Sequence, residues 1–203
     1  MKAFHIIGLL AVLLFAGPSV QAQQRFRLNL NYNVAVPAGN FQDFIDETSW
    51  RGWTGNLLYG INDRISVGLG TGFQDYYQKF PRAVYSLREG GEISAVVTNS
   101  IQTIPLLAVA QYNFLPRAVL QPYVGVGVGG NIIVFNQYLG EFSNSESTIG
   151  FALRPEAGVQ IPIGKRGFGI NVNGAYNYMP YTQNNMDGLH NWAVGAGIRF
   201  SLR

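Results

Sequence analysis

Residues 25–36 read RFRLNLNYNVAV: Phe26, Leu28, Leu30, Tyr32, Val34 and Val36 are apolar or aromatic, and Arg25, Arg27, Asn29, Asn31 and Asn33 between them are polar. Side chains on a strand alternate between faces, so the stretch predicts a β-strand with one dry and one wet face. The period returns at 64–74, where Ile65, Val67, Leu69 and Phe73 oppose Ser66, Gly68, Gly70, Gly72 and Gln74. It returns again at 121–131, 151–163, 168–178 and 191–202, and less regular stretches at 52–60 and 104–114 bring the number to eight. Connections alternate too. Those at 61–63, 115–117 and 164–167 are short, and those at 37–51, 74–103, 132–148 and 179–190 are long.

Short turns at one end, long loops at the other and strands near the 9 to 11 residues that span a bilayer predict an all-β fold. Specifically, they predict an eight-stranded antiparallel transmembrane β-barrel, up-and-down, with periplasmic turns and extracellular loops. Closure follows because an open sheet edge would leave N–H and C=O groups unpaired in hydrocarbon. A soluble barrel of the lipocalin sort has the same period with its faces inverted. Composition argues against it. The chain is 47% hydrophobic and only 12% charged, with 25 glycines, and its polar faces carry asparagine, glycine and serine where a solvated exterior would carry lysine and glutamate. The absence of cysteine removes disulfides, thiolate zinc sites and thiol nucleophiles.

The first residues have another purpose. Lys2, an apolar run from Ile6 to Ala16, the break at Gly17 and Pro18, and the small-x-small triplet ending at Ala22 predict a signal peptide over 1–22 and a barrel domain over 23–203. The run is about half the roughly 20 residues a membrane helix needs.

LQPYVGVGVG at 120–129, GAGIRFSL at 195–202 and PAGNF at 37–41 resemble small outer-membrane β-barrel proteins of the OmpX and OmpW kind, especially those of Bacteroidota. The resemblance implies residence in the cell outer membrane, contact with its lipid and lipopolysaccharide, and delivery by the barrel-assembly machinery. Gly197, Phe200 and Leu202 match the terminal-strand signal which that machinery reads, and Arg203 stands where the family carries a terminal aromatic.

Charge sorts by end under this topology. The long loops are acidic (Asp43, Asp46, Glu47, Glu141, Glu146, Asp187 among others) and the short-turn end basic (Arg25, Arg27, Arg64, Arg117, Lys165, Arg166, Arg199). The basic balance thus belongs to the periplasmic end and points to no nucleic acid, which would need one accessible basic face. An acidic rim would suit divalent bridges to lipopolysaccharide.

Several motifs carry chemistry only on paper. The glycines at 125–130 spell a nucleotide-loop pattern without the strand-to-helix context it requires, and inward glycines relieve crowding in a narrow lumen. His190, with Asp187 and serines in another loop, lacks a nucleophile motif, so no catalytic residue, metal or cofactor is assigned. Arg154 and Glu156, two apart on one wet face, predict a luminal polar network extending to Asn171 and Asn29. Tyr76, Tyr77, Phe80 and Tyr85, on a long hairpin that continues as a ribbon above the membrane, predict an extracellular protein-binding surface. The expected function is therefore a structural or surface-interaction role without enzymatic activity. The alternative is a narrow channel for small or hydrophobic solutes, and a filled eight-stranded interior leaves little room for one.

Overall fold

The structure, a computed structural model, describes residues 26–81, 83–86, 92–95, 97–139, 142–164, 167–183 and 186–202. The expected signal peptide lies outside the described residues.

Eight strands close a barrel: β1 (Phe26–Pro37), β2 (Ser49–Gly60), β3 (Ile65–Lys79), β6 (Val97–Asn113), β7 (Gln121–Leu139), β8 (Phe142–Ile163), β9 (Phe168–Asn177) and β12 (Asn191–Leu202). Two small hairpins, β4 (Ala83–Ser86) with β5 (Glu92–Ala95) and β10 (Thr182–Gln183) with β11 (Met186–Asp187), interrupt the numbering. Every pairing is antiparallel between chain neighbours, and β1 with β12 seals the circle from Phe26 opposite Leu202 to Pro37 opposite Asn191.

Each predicted face falls where alternation puts it. Asn29, Asn31, Asn33, Asn56, Gln160, Asn171 and Asn173 are buried in the lumen, and Leu30, Leu69, Val126, Val172 and Val194 are exposed outward as the lipid-facing belt. Local chemistry fixes the short turns. Asn62 Oδ1 accepts the backbone N–H groups of Arg64 (2.8 Å) and Ile65 (2.7 Å), so one side chain closes the β2–β3 turn. Gly164 and Gly167 in the β8–β9 turn both have positive φ (67° and 76°), which bulkier residues resist.

Strand β6 looks irregular in sequence because it is apolar on both faces. Its inward Leu107 and Val109 occupy space that neighbouring glycines release: a Cβ on Gly70 would lie 2.9 Å from Val109 Cγ2, and one on Gly127 would lie 3.0 Å from Leu107 Cδ1. Large and small residues alternate around the narrow interior.

Two of the expected long loops are strand for much of their length. β7 and β8 run to 19 and 22 residues and stay paired up to Leu139 opposite Phe142. β3 and β6 stay paired to Lys79 opposite Thr98, and β4 and β5 form a separate two-stranded sheet between them in the chain, with Tyr85 opposite Ile93.

Candidate functional site

The lumen is filled at two heights, and the upper filling was not expected. The five-residue helix α1 (Asn40–Phe44) follows β1 and its last carbonyls continue into Ile45, whose N–H bonds Phe41 O at 2.9 Å. Four residues apart, Phe41 and Ile45 share one helix face, and both are completely buried. They meet Tyr76, Ile101, Ile133 and Phe135 from the inward faces of the extended strands and Met179, Tyr181 and Leu189 from the last long loop. Phe41 packs edge-on against Tyr76 with ring centroids 4.9 Å apart. This apolar plug closes the extracellular mouth.

Backbone hydrogen bonds hold the plug's loop in place. Leu189 N–H donates to Met179 O (2.8 Å), and Ala38 N–H donates to His190 O (2.9 Å), tying the loop to the end of β1. His190 stacks on Tyr178 at 4.6 Å with planes 8° apart, and its Nδ1 accepts the Met179 N–H at 3.1 Å. The imidazole thus serves the loop as a brace. Burial lowers its pKa from the ordinary 6.5. The sign follows directly: the fold prefers neutral imidazole, so this contribution is complete above about pH 6.5 and fades as pH falls from there through the lowered folded value. A proton NMR titration of the folded barrel is expected to show His190 titrating below a free imidazole; titration at or above 6.5 would contradict the brace.

Lower down, Arg154 and Glu156 face the lumen from β8. Arg154 Nη2 stands 3.5 Å from Glu156 Oε2, and both side chains are 7% exposed. The register places Gly125 opposite Glu156 and Gly127 opposite Arg154, and these glycines make the room: a Cβ on Gly125 would lie 3.1 Å from Glu156 Cγ. The expected ion pair is therefore formed. The network expected around it is formed only in part. Asn171 reaches the pair indirectly, through buried Tyr123, which hydrogen-bonds Asn171 beside both charges; Asn171 Nδ2 also donates to Asn31 Oδ1 (3.0 Å), whereas Asn29 Oδ1 and Arg154 Nε are buried without a hydrogen-bond partner. Eight strands offer polar groups at one height, and Asn171 finds its partner across the barrel seam on β1. Between plug and ion pair, a cavity of about 20 Å³ is bordered by Asn33, Thr54, Gln74, Tyr76, Arg154 and Asn191, room for about one water molecule.

The surface set needs one correction. Tyr76 is 1% exposed because β3 does not stop at Gln74; alternation continues, turning Tyr76 into the plug and Tyr77 outward. Tyr77 is exposed, with the Arg51 guanidinium 5.4 Å above its ring, and Arg51 also pairs with Asp75 at 3.4 Å. Phe80 is half-buried, and the Tyr85 side chain lies outside the described residues. The Arg51–Asp75 pair also neutralises one carboxylate of the expected acidic rim.

At the terminal strand, Phe200 and Leu202 point outward and Phe200 packs against Phe168 at 5.5 Å. Gly197 faces inward, where a Cβ would lie 1.9 Å from the carbonyl oxygen of Leu30. Arg27 and Arg199, expected at the periplasmic end and on the polar parity of their strands, do turn their side chains into the lumen there; what the sequence did not show is which groups they meet.

Among curated proteins none matches the chain. Among solved structures, the Neisserial surface protein A is similar with a TM-score of 0.62 at 16% identity, over 87% of this chain and 97% of that one. The Escherichia coli outer membrane protease OmpT gives 0.48 at 10% identity (92% and 99%), and Escherichia coli outer membrane protein W gives 0.46 at 16% identity (90% and 100%). At these identities the first likeness is one of fold. The family described as "Outer membrane protein beta-barrel domain" matches residues 7–200. With the closed barrel, its apolar belt and that match in hand, the chain belongs to the outer membrane protein beta-barrel domain family and resides in the cell outer membrane.

Proposed function

We propose that the protein acts in the outer membrane as a sealed barrel, structurally or through contacts made by its extracellular end, and neither conducts solutes nor catalyses a reaction. The observation that carries this reading is the double seal, an apolar plug above and the Arg154–Glu156 layer below, with a cavity of only about 20 Å³ between them. A narrow channel would need both layers displaced together. His190 is engaged by Met179 and Tyr178, which supports a bracing role over a catalytic one.

Partners follow from the same geometry. The exposed belt contacts lipid, and the upper ends of the long strands reach the lipopolysaccharide layer. Gly197, Phe200 and Leu202 on β12 serve the barrel-assembly machinery. The ribbon of β3 and β6 together with the separate β4–β5 sheet, with Tyr77 and Phe80 at its base, is the surface for an extracellular protein partner.

Planar bilayers test the seal. The purified barrel is expected to give no steady openings; steady openings that change on Glu156→Gln would establish the channel instead. The ribbon has its own test. Lys79 lies opposite Thr98, so replacing residues 80–97 by an Asn-Gly turn is expected to leave a barrel that still migrates differently before and after boiling. Loss of that shift would mean the ribbon is part of the folding core and not a separable contact surface.

A further inference from the structure

The periplasmic mouth of the lumen contains two arginines that the seal does not use. Arg27 on β1 and Arg199 on β12 project inward from neighbouring strands; Arg199 lies opposite Asn29, and Arg27 is one inward position nearer the rim. Arg199 Nη1 donates to Gln160 Oε1 at 2.7 Å and to Gln121 Oε1 at 3.1 Å, and Arg27 Nη2 donates to Ser66 Oγ. All three acceptors are neutral. Among the described residues the ion pairs are Arg51–Asp75, Arg117–Asp63 and Arg154–Glu156, so neither luminal arginine has a carboxylate. The register sets the two arginines on adjacent paired strands, one inward position apart. Like charges enclosed together without a counter-charge are costly.

A second observation points to what offsets that cost. Gln160 is 0% exposed, its Oε1 is taken by Arg199, and its Nε2 has no hydrogen-bond partner. Gln121 is oriented by its Nε2, which donates to Pro116 O (2.8 Å) and Ala118 O (3.3 Å), so it too presents an acceptor to Arg199. Asn29 Oδ1 remains as a neutral acceptor without a partner, but the charge at this height is carried by donors alone, the other guanidinium N–H groups, joined by the Gln160 amide. Donors of this kind match the several acceptor oxygens of a phosphate-like ion.

We propose that the periplasmic mouth of the lumen binds a small oxyanion of the phosphate class, held by Arg27 and Arg199 with the Gln160 Nε2 amide as third donor. The ion enters from the periplasm as a free solute. Lipid headgroups are walled off, since β1 and β12 are paired without a gap beside both arginines.

The test uses the full barrel in a neutral maltoside detergent, titrated with inorganic phosphate at constant ionic strength and followed by calorimetry and thermal unfolding. Saturable binding is expected, weakened about tenfold or more in Arg199→Gln. Arg51→Gln, outside the barrel, is expected to bind as the parent does. Gln160→Glu keeps both arginines and supplies the missing negative charge, so it is expected to lose phosphate binding and to unfold at a higher temperature without phosphate. This variant decides the matter should Arg199→Gln fail to fold. A response that does not saturate, or that is the same in Gln160→Glu as in the parent, overturns the proposal. Competition by phosphatidylglycerol in mixed micelles at equal phosphorus would assign the site to a headgroup and overturn the free-solute form.

Discussion

Gly197→Val is expected to abolish the closed barrel. The Cβ alone would lie 1.9 Å from Leu30 O and 2.5 Å from Asn31 Cα, both backbone atoms of the strand that completes the circle. A flexible side chain could swing aside; a paired backbone can do so only by separating β12 from β1. The cost therefore exceeds the roughly 1–3 kcal/mol usual for an overfilled core. Refolding from urea into detergent, read by the gel shift between unboiled and boiled protein, is the measurement. Gly174→Val is the control, because a Cβ there meets nothing within 4 Å and points to lipid. The experiment also separates two roles of Gly197. Refolding in detergent contains no assembly machinery, so a position read only by that machinery would refold normally with valine. Normal refolding of Gly197→Val would thus remove the packing role.

The second large effect is at the luminal ion pair. Glu156→Gln leaves Arg154 buried opposite a neutral amide, with its Nε already lacking an acceptor. Breaking one side of such a pair costs about 3–5 kcal/mol, whereas replacing both charges by apolar groups of similar volume is often neutral. Urea unfolding from lipid vesicles is expected to show that loss for Glu156→Gln and little change for the double variant Arg154→Met, Glu156→Leu. Equal losses in both would show that shape, and not the uncompensated guanidinium, sets the cost.

The strands were readable because lipid and lumen impose opposite demands on successive residues. Leu30 and Asn31, or Val172 and Asn173, each obey a local rule that needs no knowledge of the rest of the chain. The same rule was legible further than expected. Tyr76 and Tyr77 continue the alternation of β3, and only the assumption that the strand ended at Gln74 placed both on the surface. The plug was hidden for a different reason. Phe41 lies in a five-residue helix too short for a helical period to register, Ile45 caps its end, and Met179 and Leu189 join them from the far end of the chain. Partner choice inside the lumen was equally hidden. Asn171 bonds Asn31 across 140 residues because closure brings β9, β12 and β1 side by side, a fact about the circle and not about either stretch. Arg27 and Arg199 were placed at the correct end, but their convergence depends on the β1–β12 register.

The length of β8 sets what a visitor to the cell can meet. Twenty-two residues at about 3.4 Å each, inclined at about 45°, rise roughly 50 Å, about twice the greasy band of such a barrel. The β7–β8 hairpin therefore stands like a mast through the sugar coat. A bulky reagent such as an antibody is expected to reach its tip readily, while the plug, packed against Ile133 and Phe135 a few residues below that tip, stays shaded by carbohydrate.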